Sequence, residues 1–326
     1  MNLLFLRGRV PQDRDPKQIM FDNLSDCDCM WTQLARSITG DGYGEVWYWN
    51  GKRHVCYDKH FHERWLPSFK KTNPSFEPDV IFARGGFPEY DPILRQNTKA
   101  FKIYYGAGKR FMPQTKFTDF NLILFDTSKQ QQAAKRAFPK SRVEMFIKPA
   151  ADNVFKPISI EKQYDIIFVG NEPKKGGFKG HDFAFSNIPH HYKVLCVGMV
   201  SKQLRKKFPH IEFTGWIPRK EIPLKYAISK IAVVAADGRD SCPRVIPESL
   251  ACNCPLLVLD GVDFWHEKYI TPQTGRLTTR KSFTEDVIQM LDDYFNTNWL
   301  PAEYYQQNLS LRCAANHIQS FIPMNK

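Results

Sequence analysis

A short apolar run, a glycine, proline or aspartate that ends it, and a polar stretch of helical character recur along this chain. This unit constrains the fold more than any other feature. In the first half the runs are 3–6 (LLFL), 46–49 (VWYW), 80–83 (VIFA), 101–105 (FKIYY), 122–125 (LILF) and 145–147 (MFI). Apolar on both faces and bounded by turn residues, they read as buried strands of a parallel sheet. Residues 25–38 and 127–137 read as crossover helices, capped by Ser25 or Asp26 and by Thr127 or Ser128. The second half restarts the alternation at 165–169 (DIIFV), 193–197 (KVLCV), 211–214 (IEFT), 231–235 (IAVVA) and 256–259 (LLVL). Helical stretches are expected at 219–229, 281–294 and 302–321. Between the halves, 149–163 (PAADNVFKPISIEKQ) carries two prolines and little periodicity, and reads as a linker. The expected fold is α/β, two Rossmann-like domains facing each other across a cleft at the carboxyl ends of their strands. The expected bounds are 1–155, 156–300 and a C-terminal helix in 301–326.

A length of 326 residues accommodates two such domains. Hydrophobic residues at 42% and charged residues at 25% exclude a disordered or fibrous chain. No apolar run approaches the roughly 20 residues that span a bilayer. The first residues lack a basic region ahead of their apolar run, so they read as a strand and the chain as cytoplasmic. The eight cysteines are scattered. Cys27/Cys29 and Cys252/Cys254 form two CxC pairs, neither with a second pair at zinc-ribbon spacing. Reduced structural thiols are expected, and no metal. The net charge of +12 is spread over small clusters at 69–71, 173–179 and 202–207. A broad basic surface suits nucleic acid, an anionic membrane surface or polyphosphate ligands, or serves solubility alone.

The chemistry-bearing segment is 236–263 (ADGRDSCPRVIPESLACNCPLLVLDGVD). It reads as strand end, loop, helix start, short helix and strand. Amide groups at the helix start suit a diphosphate. Arg244 adds a bidentate guanidinium. Glu248 can accept from ribose hydroxyls, and Asp240 from sugar hydroxyls. Each residue alone has a plainer role: Glu248 as a cap, Arg244 in a surface ion pair, Lys179 in solvent.

This segment resembles the donor-binding domain of GT-B glycosyltransferases, especially the retaining family 4 group. That group carries two acidic residues with seven between them, then a small-residue helix and a proline-led strand. The pair here is Asp240 and Glu248, with aspartate in place of the usual first glutamate. The stretch 168–180 (FVGNEPKKGGFKG) resembles the opening of that domain, with Gly170 after the strand and Lys179 toward the donor phosphates. The family's arginine after the glycine is Asn171 here. The stretch 211–236 resembles the segment around the nucleotide base, which would lie by Trp216 and Ile217, with Val245 beside Arg244. The stretch 147–157 resembles the hinge. The resemblance covers about 145–265. It implies that the last helix crosses back to the first domain.

In such enzymes the first domain takes the acceptor. Its basic loops, Arg7-Gly8-Arg9, Arg84-Gly85-Gly86 and the loop with Lys109 and Arg110, suit anionic groups or are ordinary turns. Many family 4 enzymes place a histidine after the strand equivalent to FKIYY, where this chain has Tyr105-Gly106. The KIYY strand also resembles that of a phage enzyme that glucosylates hydroxymethylcytosine in DNA. That enzyme's catalytic aspartate corresponds to about Lys109 here.

The expected function is sugar transfer from a nucleoside-diphosphate sugar, a UDP-sugar first, to a hydroxyl, without metal or prosthetic group. Retention and Asp240 as catalytic residue are implied by the resemblance alone. A hydroxymethylated base in DNA is the first acceptor, flipped into the site, with a basic surface for the backbone. The aromatics at 43–49 either stack bases or fill the core. The alternatives are a glycan or lipid-linked acceptor, with 199–209 as an amphipathic helix, and a non-catalytic nucleic-acid or sugar-nucleotide binding module.

Overall fold

A computed structural model describes residues 1–9, 29–49, 52–69, 72–106, 118–172, 177, 179–238 and 242–323. The chain divides into two units, Met1–Ile147 with Leu311–Lys326, and Lys148–Ser310.

The first unit contains β1 (Leu3–Arg9), α1 (Met30–Thr39), β2 (Gly44–Trp49), β3 (Arg53–Asp58), β4 (Phe61–Leu66), β5 (Val80–Arg84), α2 (Asp91–Gln96), β6 (Phe101–Gly106), β7 (Leu122–Phe125), α3 (Ser128–Ala137) and β8 (Arg142–Met145). Its eight strands run in the order β3-β4-β2-β1-β5-β6-β7-β8. All pairs are parallel except β3 with β4. The chain works outward from β1 through β2 to a β3–β4 pair with β3 at the edge, then returns to β5 on the other flank. The strand order therefore reverses between β1 and β5, which opens a crevice beyond their carboxyl ends. Apolar runs became the central strands because both faces are covered: Leu3, Leu4, Phe5 and Leu6 have no exposure at all. Phe5 stacks on Phe82 across the β1–β5 pair at 4.6 Å.

The aromatic stretch at 43–49 belongs to the core, not to a surface that stacks bases. Trp47 is buried and gives its indole N–H to Glu45, which also accepts from the Tyr43 hydroxyl and Arg64. Glu63 on β4 is satisfied in the same way by Trp65, Tyr57 and Thr32. Two buried carboxylates are tolerated here because each accepts several hydrogen bonds.

Two expectations shift in this unit. The helix expected at 25–38 is described from Met30, with Cys29 in the capping position; 25–28 lie outside the described residues. The run 145–147 marks burial rather than a strand. β8 ends at Met145, and its alternation of exposed Arg142 and half-buried Glu144 with buried Val143 and Met145 is that of a sheet edge. Thr127 does cap α3, accepting from the Gln130 amide.

The second unit contains β9 (Tyr164–Val169), α4 (His181–Asn187), β10 (Val194–Val197), α5 (Lys202–Lys207), β11 (Glu212–Gly215), α6 (Ile222–Ala227), β12 (Ser229–Val234), α7 (Val245–Ala251), β13 (Leu256–Leu259), α8 (His266–Tyr269), β14 (Gly275–Thr278), α9 (Phe283–Asp292) and α10 (Pro301–Asn308). Its six strands are all parallel, in the order β11-β10-β9-β12-β13-β14. This is the doubly wound order, and its reversal lies between β9 and β12. The segment 149–163 is not a loose tether. Ala150, Ala151 and Phe155 are buried, Ala150 donates to the Tyr305 hydroxyl at 2.9 Å, and Lys162 donates to the carbonyls of Ala227 and Ser229.

The stretch 302–321 is two helices, α10 and α11 (Leu311–Gln319), broken at Leu309-Ser310. The break leaves Leu309 fully buried while Ser310 bonds back to the Gln306 carbonyl. α11 belongs to the first unit, where Gln319 donates to the Ile38 carbonyl of α1 and His317 sits against the Met145 carbonyl. Among the described residues no helix is long and apolar enough to cross a membrane. α5, inside the stretch 199–209, has six residues and buries only Leu204.

Candidate functional site

The carboxyl edge of the second sheet is assembled by close backbone contacts around β9 and β12. Gly170 follows β9, and the Lys179 side chain crosses it, with Cδ 4.0 Å from where a glycine Cβ would stand. Gly180 adopts φ +77°, and a Cβ there would lie 2.0 Å from the Ala235 carbonyl oxygen. Only glycine permits this approach of the α4 turn to the end of β12. His181 opens α4 and donates from Nε2 to the Gly170 carbonyl at 3.0 Å. A carbonyl can only accept, so Nε2 carries the proton. Burial lowers the His181 pKa below its ordinary 6.5. Asn171 is committed to the fold, its Oδ1 accepting from the Met199 amide at 2.7 Å. Glu172 accepts from the Ser201 amide at 2.6 Å.

Arg244, Val245 and Glu248 lie together at the start of α7. Arg244 is exposed, and its guanidinium has no hydrogen-bond partner among the described residues. Val245 is half-buried and its carbonyl accepts from Tyr226. Glu248 is only 5% exposed, and its Oε1 accepts from Arg219 Nη2 at 2.7 Å. Its Oε2 makes no hydrogen bond among the described residues. Arg219 in turn lies over the Phe155 ring at 5.1 Å. Trp216, three positions before Arg219 in the loop after β11, is 64% exposed, and Ile217 is half-buried. So α7 and the β11 loop meet through the Arg219–Glu248 ion pair.

Sequence reasoning missed Arg219 and Lys148. Lys148 Nζ donates to the Cys242 carbonyl at 2.9 Å, and its own amide and carbonyl are both bonded to the Tyr269 hydroxyl. Cys242 has φ +39° and donates its amide to Asp263. Lys148 thereby pins the loop that delivers Arg244. Neither residue belongs to a spaced motif; the one signal was Arg219 in a Pro-Arg step after the Gly215 turn. Asp240 lies outside the described residues, as do Lys109 and Arg110.

In the first unit, Arg7 and Arg84 each follow the last paired residues of β1 and β5, Leu6 and Ala83. Arg7 lies over Tyr48 and Arg84 over Trp31, each 4.9 Å from the ring centre. Gly8 (φ +100°) and Gly85 (φ +83°) both press on the Phe87 ring, and Gly86 lies between Gly85 and Phe87. The Arg9 side chain is not among those described. Tyr105 is buried, its hydroxyl donating to both oxygens of Asp126 at 2.8 and 2.7 Å. Its ring packs on Trp31 and Phe146, so it supports the loops and does not line them. Burial raises the Cys29 thiol, but the Arg7 charge and bonds from Thr32 outweigh it, leaving the thiol below its ordinary range. Among the described residues no group of three or more histidine, cysteine or acidic side chains is placed to hold a metal ion.

No protein-family model matches the chain, and no curated protein matches it. Solved structures do. A glycosyltransferase from Rickettsia africae ESF-5 has a TM-score of 0.70 at 14% identity, over 100% of this chain and 99% of that one. Sucrose-phosphate synthase from Thermosynechococcus elongatus has a TM-score of 0.69 at 13% identity, over 98% and 97%. HepE from Anabaena, solved in complex with UDP, has a TM-score of 0.65 at 12% identity, over 98% and 99%. With two doubly wound parallel-sheet units and these neighbours, the chain has the GT-B fold.

Proposed function

We propose that the protein is a glycosyltransferase that moves a sugar from a nucleoside-diphosphate sugar, a UDP-sugar first, to an acceptor hydroxyl. The observation that carries this reading is the arrangement at α7. Glu248 is buried and held by Arg219 through one oxygen, its other oxygen making no hydrogen bond among the described residues, beside an exposed Arg244 whose guanidinium makes none among them. Glu248 Oε2 accepts from the ribose hydroxyls. Arg244 and Lys179 neutralise the diphosphate as the bond to the sugar breaks, when its negative charge grows. Gly170, Asn171 and Val245 offer backbone groups at the same edge, and Trp216 with Ile217 flank the base. Asp240 accepts from the sugar hydroxyls and is the proposed catalytic group, with retention of configuration and no metal. Support for UDP comes from HepE, a neighbour of the same fold solved with UDP and with UDP plus glucose. Donor-side specificity then rests on positioning more than on acid–base chemistry.

Calorimetric titration with UDP tests the donor reading. Wild type binds, and Glu248→Gln and Arg244→Ala each weaken binding about 10-fold or more, the loss of one charge-assisted contact of roughly 1.5–3 kcal/mol. No binding by wild type would end the proposal. Release of sugar from UDP-glucose by the purified protein separates an enzyme from a binding module. For the acceptor, the charge of +12 supports a polyanion, and DNA with hydroxymethylated bases is the one proposed. Duplex DNA binding that falls steeply with salt, followed by labelled sugar transfer to such DNA, is the expected outcome. Negligible binding at low salt would turn the search to glycan and lipid-linked acceptors.

A further inference from the structure

We propose that the exposed face of α5 is a contact surface for the phosphodiester backbone of a nucleic acid, with Lys202, Arg205 and Lys206 as its cations. The surface stands on the geometry of the second unit alone. That it guides an acceptor toward the proposed donor side rests on the glycosyl-transfer reading.

Four of the six residues of α5 are cationic and none is acidic. Two apolar side chains decide which way they point. Leu204 and Phe208, four positions apart, are buried, and Phe208 meets Phe185 of α4 edge-on at 5.5 Å. Residues 202, 203 and 205–207 are left exposed. Lys207 pairs with Asp182 at 2.5 Å. The side chains of Lys202, Arg205 and Lys206 make no ion pair or hydrogen bond among the described residues. Lys202 and Lys206 are a like-charge pair one turn apart, and Lys202 stands in the first turn, where the helix dipole disfavours a cation. No acid within α5 offsets either cost. Arg205 is held in place: its guanidinium lies over the Phe213 ring at 5.6 Å and 3.6 Å from where a Cβ on Gly215 would stand. Both belong to β11, the edge strand of the sheet. The face also adjoins the candidate site. The segment leading into α5 is bonded to the loop after β9: Asn171 accepts from the Met199 amide, the Glu172 amide donates to the Met199 carbonyl at 2.7 Å, and Glu172 accepts from the Ser201 amide. α5 therefore starts at the carboxyl edge that holds Gly170 and Asn171. Exposed single cations hold a small anion weakly, because water screens each contact. A polyanion gains from counterions released at every phosphate neutralised, so several exposed cations on one face suit a polymer. An anionic membrane is the poorer match, since α5 has no exposed apolar side chain to insert.

The test is binding of a short duplex DNA over a range of salt concentrations by three proteins. They are wild type, the triple variant Lys202→Gln, Arg205→Gln, Lys206→Gln, and a control triple variant Lys129→Gln, Lys135→Gln, Arg136→Gln. The control removes the same charge from exposed positions of α3 in the first unit. In the α5 variant the slope of log affinity against log salt is expected to shrink by about 3, roughly one for each phosphate contact, and affinity at about 0.1 M salt to fall about 100-fold or more. The control variant stays within about 3-fold of wild type. Plain and hydroxymethylated duplexes show the same loss, because backbone contacts carry no sequence. UDP affinity of the α5 variant is unchanged. Equal losses in the two variants, or none in the α5 variant, overturn the surface. So does a wild type that binds no duplex at low salt; if it then binds phosphatidylserine vesicles through α5, the face belongs to a membrane instead. Duplex binding that depends on α5, in a protein that does not bind UDP, would keep the surface and remove the glycosyl-transfer reading.

Discussion

Glu248 and Arg219 are the pair on which the geometry at α7, the proposed donor side, turns. The carboxylate is buried, so its charge is tolerable only while the guanidinium 2.7 Å away remains. Arg219→Met is therefore expected to destabilise the protein by about 3 kcal/mol, read as a lower urea midpoint. Adding Glu248→Gln should recover part of that loss, because the amide no longer needs a counter-charge. An additive double variant would show that the two residues do not act as a pair. At this scale the sequence was half legible. Glu248 and Arg244 stood out because they share one short segment. Arg219 did not, because its partner lies 29 positions away and only the fold brings them together. The same holds for Lys148, whose Nζ reaches a carbonyl 94 positions on.

The elements that sequence reading found are those whose residues are apolar on both faces, the central parallel strands. The elements it missed are polar on alternate positions or short: β3 (RHVCYD), β4 (FHERWL) and β14 (GRLT). β4 buries every second residue, and its glutamate is an inward one, Glu63, so hydrophobicity alone misreads it. The segment 149–163 follows the boundary between the units and holds no helix or strand, as a linker reading expects, yet it is packed. Its prolines look like a tether, while Ala151 and Phe155 are wholly buried. Contacts between elements also predict where substitution is least tolerated. Gly180→Ala would drive a methyl to 2.0 Å from the Ala235 oxygen in a backbone conformation that side chains avoid. α4 would have to move off the end of β12. A loss of about 3 kcal/mol or more is expected, with UDP affinity falling alongside. Gly177→Ala, with open space at its Cβ but φ +51°, is expected to cost only about 1 kcal/mol. Equal effects at the two positions would refute the steric argument.

Over the whole molecule, both units share one winding rule: the first strand of each is central, flanked on one side by the next strand and on the other by a strand from later in the unit. That rule was legible from the repeated alternation, and it places the strand-order reversal of each sheet beside the residues discussed above. What could not be read was the split of 302–321, since α10 and α11 look continuous in composition. Removing residues 311–326 should leave α1 without the buried face formed by Leu311, Ala314, Ala315 and Ile318. The truncated chain is expected to lose several kcal/mol in the first unit, about 1.5–3 kcal/mol for each large apolar side chain no longer buried. Hydrogen exchange along α1 and β2 reports it, while amides of β9 and β12 stay protected. Protection lost equally in both units would contradict the assignment of α11.

That last helix also sets an order of events during synthesis. The first unit's opening strands leave the ribosome early, yet the helix that completes the unit is made after all of the second unit. For most of translation the nascent chain carries an unfinished first half with α1 uncovered. The second unit, contiguous in sequence, can close first. Maturation of this protein thus runs against its own numbering, and the half made first is the half finished last.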